Sequence, residues 1–335
     1  MNAWDSVGLI INPKAGQGYP ANARAALAVL TALHPRQVYT GPGELGAGAL
    51  TGAGFDEVVV LPVQAGAGRA QTQQLALELA SKPISTLIVI GGDGTLADVA
   101  CALSGKVDGP ALMGIGVGST NAGRLITCRL DALHAFDPAR LKLVSLRGLL
   151  ALDGDQTLGI GFNDCVLGFT VVGTLDGIVQ DVEAAARMAG QTLPGKVRPI
   201  GTRRTRVQRS GPDGIVKVAS GSQVATVVVG FAESSFFAKA ITGGVCLASL
   251  VAAPAGCLVA DQPLVRIGIQ AGEVISMPPL HSTYITITEK HLIQVQGVSS
   301  GTAVCVDGNP VRLLQPQDQI AFSVSLEAVR SFQLQ

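Results

Sequence analysis

The sequence predicts an α/β fold in which a parallel α/β domain is followed by a larger, mainly β domain. Three observations carry this. Short apolar runs alternate with Ala- and Leu-rich helical runs up to about residue 130, the pattern of strand–helix units around a parallel sheet. Three of those runs end in glycine-rich loops, at 12–18, 91–95 and 118–124. From Leu149 onward, closely spaced strands are separated by turns such as Asp153-Gly154 and Asp307-Gly308, a β texture. We place the division at residues 1–145 and 146–335, with the last residues expected to pack back on the first domain.

A chain of 335 residues exceeds the size at which one hydrophobic core keeps growing, so two domains are expected. Apolar residues make up 47% and charged residues 14%, with a mean hydropathy of +0.41. That composition supports two cores. Twenty-four basic and twenty-four acidic side chains cancel, which removes any general attraction to nucleic acid or to anionic membranes. An anionic ligand must therefore be held locally. The six cysteines are scattered, with no C-x-x-C pair and no histidine at zinc spacing. They read as reduced core residues of a cytoplasmic protein. The start of the chain lacks the layout of a signal peptide. Residues 240–260 are uncharged, but Gly243, Gly244, Pro254 and Gly256 interrupt them, so buried strands and turns are expected there instead of a membrane span.

In chain order, Val7 to Ile11 is a first strand, ending in Asn12-Pro13-Lys14-Ala15-Gly16-Gln17-Gly18 and followed by a helical run from Asn22 to Leu33. Strand, glycine loop and helix is a phosphate-site layout. Asn12 and Lys14 are candidate phosphate contacts. A second strand, Gln37 to Thr40, runs into Gly41-Pro42-Gly43-Glu44-Leu45-Gly46. This satisfies G-x-G-x-x-G, but the proline and the weak Ala/Gly stretch after it argue against a dinucleotide fingerprint. Glu57 to Leu61 is a strand and Arg69 to Leu79 a helix.

The central stretch is Ser85 to Leu103. Leu87-Ile88-Val89-Ile90 is apolar on both faces, as a buried parallel strand must be. It delivers Gly91-Gly92-Asp93-Gly94-Thr95 to the carboxyl end of the sheet, where α/β proteins place ligands. The glycines allow close backbone approach, and Asp93 is the one charge at that point. Thr95 is expected to cap a helix over Leu96 to Leu103, whose N-terminal amides suit a phosphate. Ala111 to Val117 is a further strand, ending in Gly118-Ser119-Thr120-Asn121-Ala122-Gly123-Arg124. Asn121 is suited to holding a nucleotide or ribose, or else is a turn residue.

Gly91-Gly92-Asp93-Gly94-Thr95 resembles the loop shared by NAD kinases, diacylglycerol kinases and related lipid kinases. The Asn12-Pro13-Lys14-Ala15-Gly16 turn is similar to the element that opens that superfamily. The loop after Val117 resembles its second motif only in part, with Ala122 where many lipid kinases carry an acid and Gly116 where a proline is expected. Gly41-Pro42-Gly43 is similar to a loop of archaeal-type NAD kinases and of AcoX-type acetoin-catabolism proteins. The resemblance implies a Rossmann-like first domain, a larger β domain and an active site between them.

In the second domain, strands are expected at 149–152, 158–163, 203–208, 217–231, 264–269, 284–288, 302–306 and 319–325, with one helix from Ile178 to Met188. Phe162-Asn163-Asp164 resembles the Asn-Glu pair with which NAD kinases hold the dinucleotide, with aspartate for glutamate; a plain Asx turn is the alternative. Arg198, Arg203, Arg204, Arg206 and Arg209 form the only dense basic stretch. Arg204 and Arg206 are expected on one strand face, covering phosphates, contacting a neighbouring subunit or guarding a sheet edge.

No H-e-x-x-H, Walker A or serine-protease spacing occurs, and no residue is singled out as a metal ligand. Glycine loops with one carboxylate fit phosphoryl transfer, where the protein positions phosphates and stabilises charge. The resemblance implies an ATP-Mg²⁺-dependent kinase, closest to ATP-NAD kinase, that phosphorylates NAD at the adenosine ribose 2′-hydroxyl. Asp93 would be the catalytic residue. Asn12, Lys14, Gly91, Gly92, Gly94, Thr95, Gly118, Ser119, Asn121, Asn163 and Asp164 would contact nucleotide. A lipid kinase and a catalytically inactive nucleotide-binding regulator linked to acetoin catabolism are the alternatives. The partners expected are small-molecule nucleotides, without nucleic acid or membrane, in a homo-oligomer (dimer or tetramer).

Overall fold

The structure, a computed structural model, describes residues 4–63, 68–106, 108–118, 121, 123–175, 178–231, 255–263, 276 and 278–334. The chain divides into two compact units, Met1–Arg147 with Leu326–Gln335, and Gly148–Ser325.

The first unit runs β1 (Ser6–Ile11), α1 (Tyr19–Leu33), β2 (Gln37–Thr40), α2 (Ala47–Leu50), β3 (Glu57–Val60), α3 (Arg69–Ala80), β4 (Thr86–Gly91), α4 (Asp93–Leu103), β5 (Ala111–Gly116) and β6 (Ile126–Arg129). Its strands are parallel in the order β5-β4-β1-β2-β3, with β6 beside β5. Every residue of β4 and β5 is buried, because helices cover both faces of a parallel sheet. Leu9, Ile11, Ile88, Ile90, Met113 and Ile115 pack with Ala25, Ala26, Val29 and Leu30 of α1. These α1 positions recur at helical spacing and form its apolar stripe. The helix stops at His34, whose left-handed backbone (φ 50) lets its N–H reach the carbonyl of Leu30.

The G-x-G-x-x-G stretch forms a 3₁₀ turn over Gly43–Leu45. A Cβ on Gly46 would lie 1.9 Å from the Thr40 hydroxyl oxygen, and that hydroxyl is spent on the carbonyl of Leu9. Gly46 here serves packing, and Gly43 serves the turn through its positive φ of 54.

In the second unit, β7 (Leu141–Asp153) enters from the first and pairs with β8 (Gln156–Gly161). There follow β9 (Asp164–Gly168), β10 (Thr170–Leu175), β11 (Ile178–Glu183), α5 (Ala184–Met188), β12 (Arg206–Gly211), β13 (Gly214–Ser220), β14 (Thr226–Phe231), β15 (Ala255–Ala260), β16 (Ser282–Ile287), β17 (Leu292–Gln296), β18 (Thr302–Val306), β19 (Asn309–Leu314) and β20 (Gln319–Leu334). One antiparallel sheet has the order β16-β15-β14-β9-β18-β19, and β13-β12-β17 continues into the start of β20. Cys165, Leu167, Val227, Val229 and Cys257 of the first sheet share a core with Val207, Ile293, Val295 and Phe322 of the second. The end of β20 belongs to the first unit, where Ser331 lies parallel to Leu112 and the Thr127 hydroxyl donates to the carbonyl of Phe332 at 2.6 Å.

Four local expectations are corrected. Ile178 to Met188 is not one helix: Ile178–Glu183 pairs with β10 through an alternating, β-branched run, and only the Ala-rich Ala184–Met188 is helical. The expected strand over 217–231 is two, because Gly221 turns the chain at φ 94. Arg204 and Arg206 do not share a strand face. The strand begins at Arg206, while Thr205, buried, and Thr202 both donate to the carbonyl of Gly297 and hold Arg204 in a turn. Thr95 is not a cap, since α4 begins at Asp93 with Gly92 as its N-cap and no side-chain cap. The strand expected at 264–269 lies outside the described residues.

Candidate functional site

The three glycine loops of the first unit meet at the carboxyl ends of β1, β4 and β5. The Asn12 amide N–H donates to the carbonyl of Ile90, and that of Val117 to the carbonyl of Gly91, which ties the two outer loops to the middle one. Asn12 Nδ2 donates to Thr95 Oγ1 at 2.8 Å, and Asn12 Oδ1 accepts from the Lys14 amide at 3.0 Å. Freed from capping, Thr95 thus locks two loops together. Asp93 Oδ1 accepts from the Gly123 amide at 2.9 Å. Asn121, at φ 45, folds its Nδ2 back onto the carbonyl of Gly118.

Two glycines sit where a side chain would crowd the neighbouring loop. A Cβ on Gly16 would fall 1.7 Å from the carbonyl oxygen of Val117, and one on Gly118 would fall 3.0 Å from Cα of Gly92. Bare backbone thus packs against bare backbone at the start of α4. The first amides of a helix lack partners within the helix, and together with the helix dipole they attract a phosphate. Asp93 stands in that first turn, where an acid is electrostatically favoured.

The arrangement brings Asn12, Gly91, Gly92, Asp93, Gly94, Thr95, Gly118 and Asn121 into one loop cluster. Lys14 is on the same loop as Asn12, exposed. Ser119 lies outside the described residues. Asn163, between β8 and β9, and Asp164, the first residue of β9, stand in the second unit.

Two residues escaped the sequence reading. Asn22, wholly buried on α1, donates from Nδ2 to the carbonyls of Asn12 (2.9 Å) and Ala15 (3.0 Å), and so sets the shape of the first loop. A polar residue on the inner face of an otherwise apolar helix was its one sequence signal. Asp307 follows β18 in a tight turn, with φ 46 and then φ 76 at Gly308. Its carboxylate accepts from the amides of Phe162 (2.7 Å), Asn163 (2.7 Å) and Asp164 (3.0 Å). Asp-Gly signals a hairpin turn, and nothing local signals a partner more than 140 residues away.

Burial pushes the Asp307 carboxyl up to about 7; Asp164 adds to this, and the three amides oppose it. On α4, burial raises the Asp98 carboxyl to about 6 against the pull of Arg69, whose Nε lies 2.8 Å away. Burial drives the Cys257 and Cys305 thiols up to about 12, with Asp164 adding at Cys305, which leaves them without nucleophilic character. Among the described residues no group of three or more His, Cys, Asp and Glu is placed to hold a metal. No helix among them is long and apolar enough to cross a membrane.

Comparison with known proteins agrees with this architecture. Residues 6–137 match the family described as the diacylglycerol kinase catalytic domain. Yeast NADH kinase, solved in complex with NADH, superposes with a TM-score of 0.54 at 14% identity, over 100% of this chain and 85% of that one. A putative diacylglycerol kinase from Bacillus anthracis gives a TM-score of 0.55 at 15% identity, over 99% and 98%. The family match covers residues 6–137, and the likeness to NAD kinase-like and diacylglycerol kinase-like structures shows the fold they share with this chain. More particularly, the chain is 27% identical over 306 residues, 91% of each chain, to a protein of Archaeoglobus fulgidus described only as uncharacterized. The family match over residues 6–137 supports a phosphotransferase and leaves open whether NAD or a lipid is the acceptor.

Proposed function

We propose that the chain is an ATP-dependent kinase that phosphorylates NAD at the 2′-hydroxyl of its adenosine ribose. The observation that supports this most directly is the packing of Gly92 on Gly118 beside the N-terminus of α4, with Asp93 the carboxylate of that turn. Such a cradle fits the phosphates of ATP, which the α4 amides, Asn12 and Lys14 would hold, with Ser119 proposed to join them. Mg²⁺ would arrive with ATP and neutralise charge on its phosphates. Asp93 accepts the proton of the ribose hydroxyl as the new O–P bond forms and the bond to the β-phosphate oxygen breaks, releasing ADP. This general-base role requires hydrogen-bond reach to the hydroxyl. Asn163 and Asp164 would hold the dinucleotide.

The lipid-kinase reading is favoured by the family match over residues 6–137, and β10 and β11 expose Val172, Ile178 and Val179. An inactive regulator linked to acetoin catabolism would keep the fold and bind nucleotide without turnover. Incubating the protein with Mg²⁺ and ATP plus NAD, or plus diacylglycerol vesicles, decides among the three. Formation of NADP supports the proposal. Phosphatidate without NADP replaces it with the lipid kinase, and nucleotide binding with neither product replaces it with the regulator.

A further inference from the structure

The loop between β8 and β9 carries its polarity in an unusual way. Its three successive amides, at Phe162, Asn163 and Asp164, all point at one carboxylate, that of Asp307. The exchange is mutual, because the Asp307 amide donates to the carbonyl of Asp164 at 2.9 Å. The Asn163 carbonyl is also occupied, accepting from the Phe231 amide. Consecutive amides of this kind are the groups with which a loop makes an anion nest, and here they are already satisfied by the oxygens of a carboxyl group built into the fold. What the loop has left to offer is side chains. Among these, Asn163 Oδ1 is buried and has no hydrogen-bond partner among the described residues.

Resting on the dinucleotide role proposed above for Asn163 and Asp164, we propose that Asp307 is a positioning residue that commits this loop to a neutral nucleoside moiety instead of a phosphate. Its carboxylate consumes the amides that would bind an anion and fixes the backbone so that Asn163 Oδ1 stands ready to accept from an N–H or O–H of the ligand. The Asp164 carboxylate at the same loop opposes any phosphate that approaches it. A base or a ribose hydroxyl supplies the donor that a buried amide oxygen lacks, whereas a phosphate ester supplies only acceptors.

The test uses the full chain, titrated calorimetrically with NAD and separately with ATP. In Asp307→Asn the amide nitrogen replaces one carboxylate oxygen and confronts the amide of Phe162 or those of Asn163 and Asp164. We expect the dissociation constant for NAD to rise at least tenfold while that for ATP stays within twofold. A purely structural role would move both or neither. Unchanged NAD affinity in a folded Asp307→Asn protein overturns the inference and leaves the kinase reading standing. Failure of the unaltered protein to bind NAD overturns the dinucleotide reading and this inference with it. Hydrogen exchange on the unaltered protein covers the case in which the variant does not fold. The amides of residues 162–164 should be protected before NAD is added, and little more so afterward. Fast exchange that only NAD suppresses would show that the ligand, and not Asp307, orders the loop.

Discussion

Replacing Gly16 by alanine should break the loop cluster, and Gly18→Ala is its matched control. Both glycines have positive φ, 56 at Gly16 and 85 at Gly18, so either alanine incurs backbone strain of roughly 1–3 kcal/mol. They differ in what the new methyl meets. At Gly18 there is nothing within 4 Å, whereas at Gly16 the Val117 carbonyl oxygen is 1.7 Å away. A normal carbon–oxygen contact requires more than 1 Å of separation between the β1 and β5 loops, and both are tied to the middle loop through Ile90 and Gly91. Forced overpacking of this kind costs about 1–3 kcal/mol beyond the strain. Gly16→Ala should therefore unfold at lower urea than Gly18→Ala by that margin. Its ATP affinity should fall on the order of tenfold further, since about 1.4 kcal/mol is a factor of ten. Urea unfolding followed by circular dichroism, together with ATP titration, measures both. Equal stability and equal ATP affinity in the two variants would refute the proposition that the loops are held in register by bare backbone contact.

Asp93→Asn should retain the fold and ATP binding yet lose phosphoryl transfer by about 10²–10⁴-fold, the usual weight of a general base; turnover like the unaltered protein's would remove Asp93 from catalysis. Asn22→Ala should cost about 1–2 kcal/mol, because the carbonyls of Asn12 and Ala15 each lose a buried side-chain donor while keeping the amides of Ala15 and Gly18, and a loss under about 0.5 kcal/mol in urea would contradict the role assigned to it. Stability should fall as pH rises from about 4 to about 7, since Asp307 and Asp98 hold their protons more tightly folded than unfolded. That contribution is complete below pH 4 and is lost through pH 6–7; for Asp307, the difference between 3.8 and about 7 is on the order of 4 kcal/mol. Denaturant midpoints from pH 4.5 to 8 should flatten in Asp307→Asn, and an unchanged slope would count against the buried acid.

The sequence by itself determined the parallel α/β half. Residues 86–91 are apolar at every position but the threonine and the last glycine, and so short and β-branched a run closed by glycines is that of a strand covered on both faces. The glycine loops and Asp93 were equally legible, because φ above zero and close backbone approach leave few residue choices. Less was visible where the signal is two-fold or helical over only a few residues. Ile178 to Met188 satisfies either period until its pairing with β10 decides, and Thr95 has the chemistry of a cap until Asn12 claims its hydroxyl. The sequence raised the return of the last residues to the first domain, but tertiary structure alone decided the particular partners. The last strand returns to Leu112 and Thr127, Asn22 supports the first loop from within a helix, and Asp307 clasps Phe162 to Asp164. The first and last of these join groups more than 140 residues apart, and a buried polar group is satisfied by whatever the fold brings to it, which no local pattern of residues encodes.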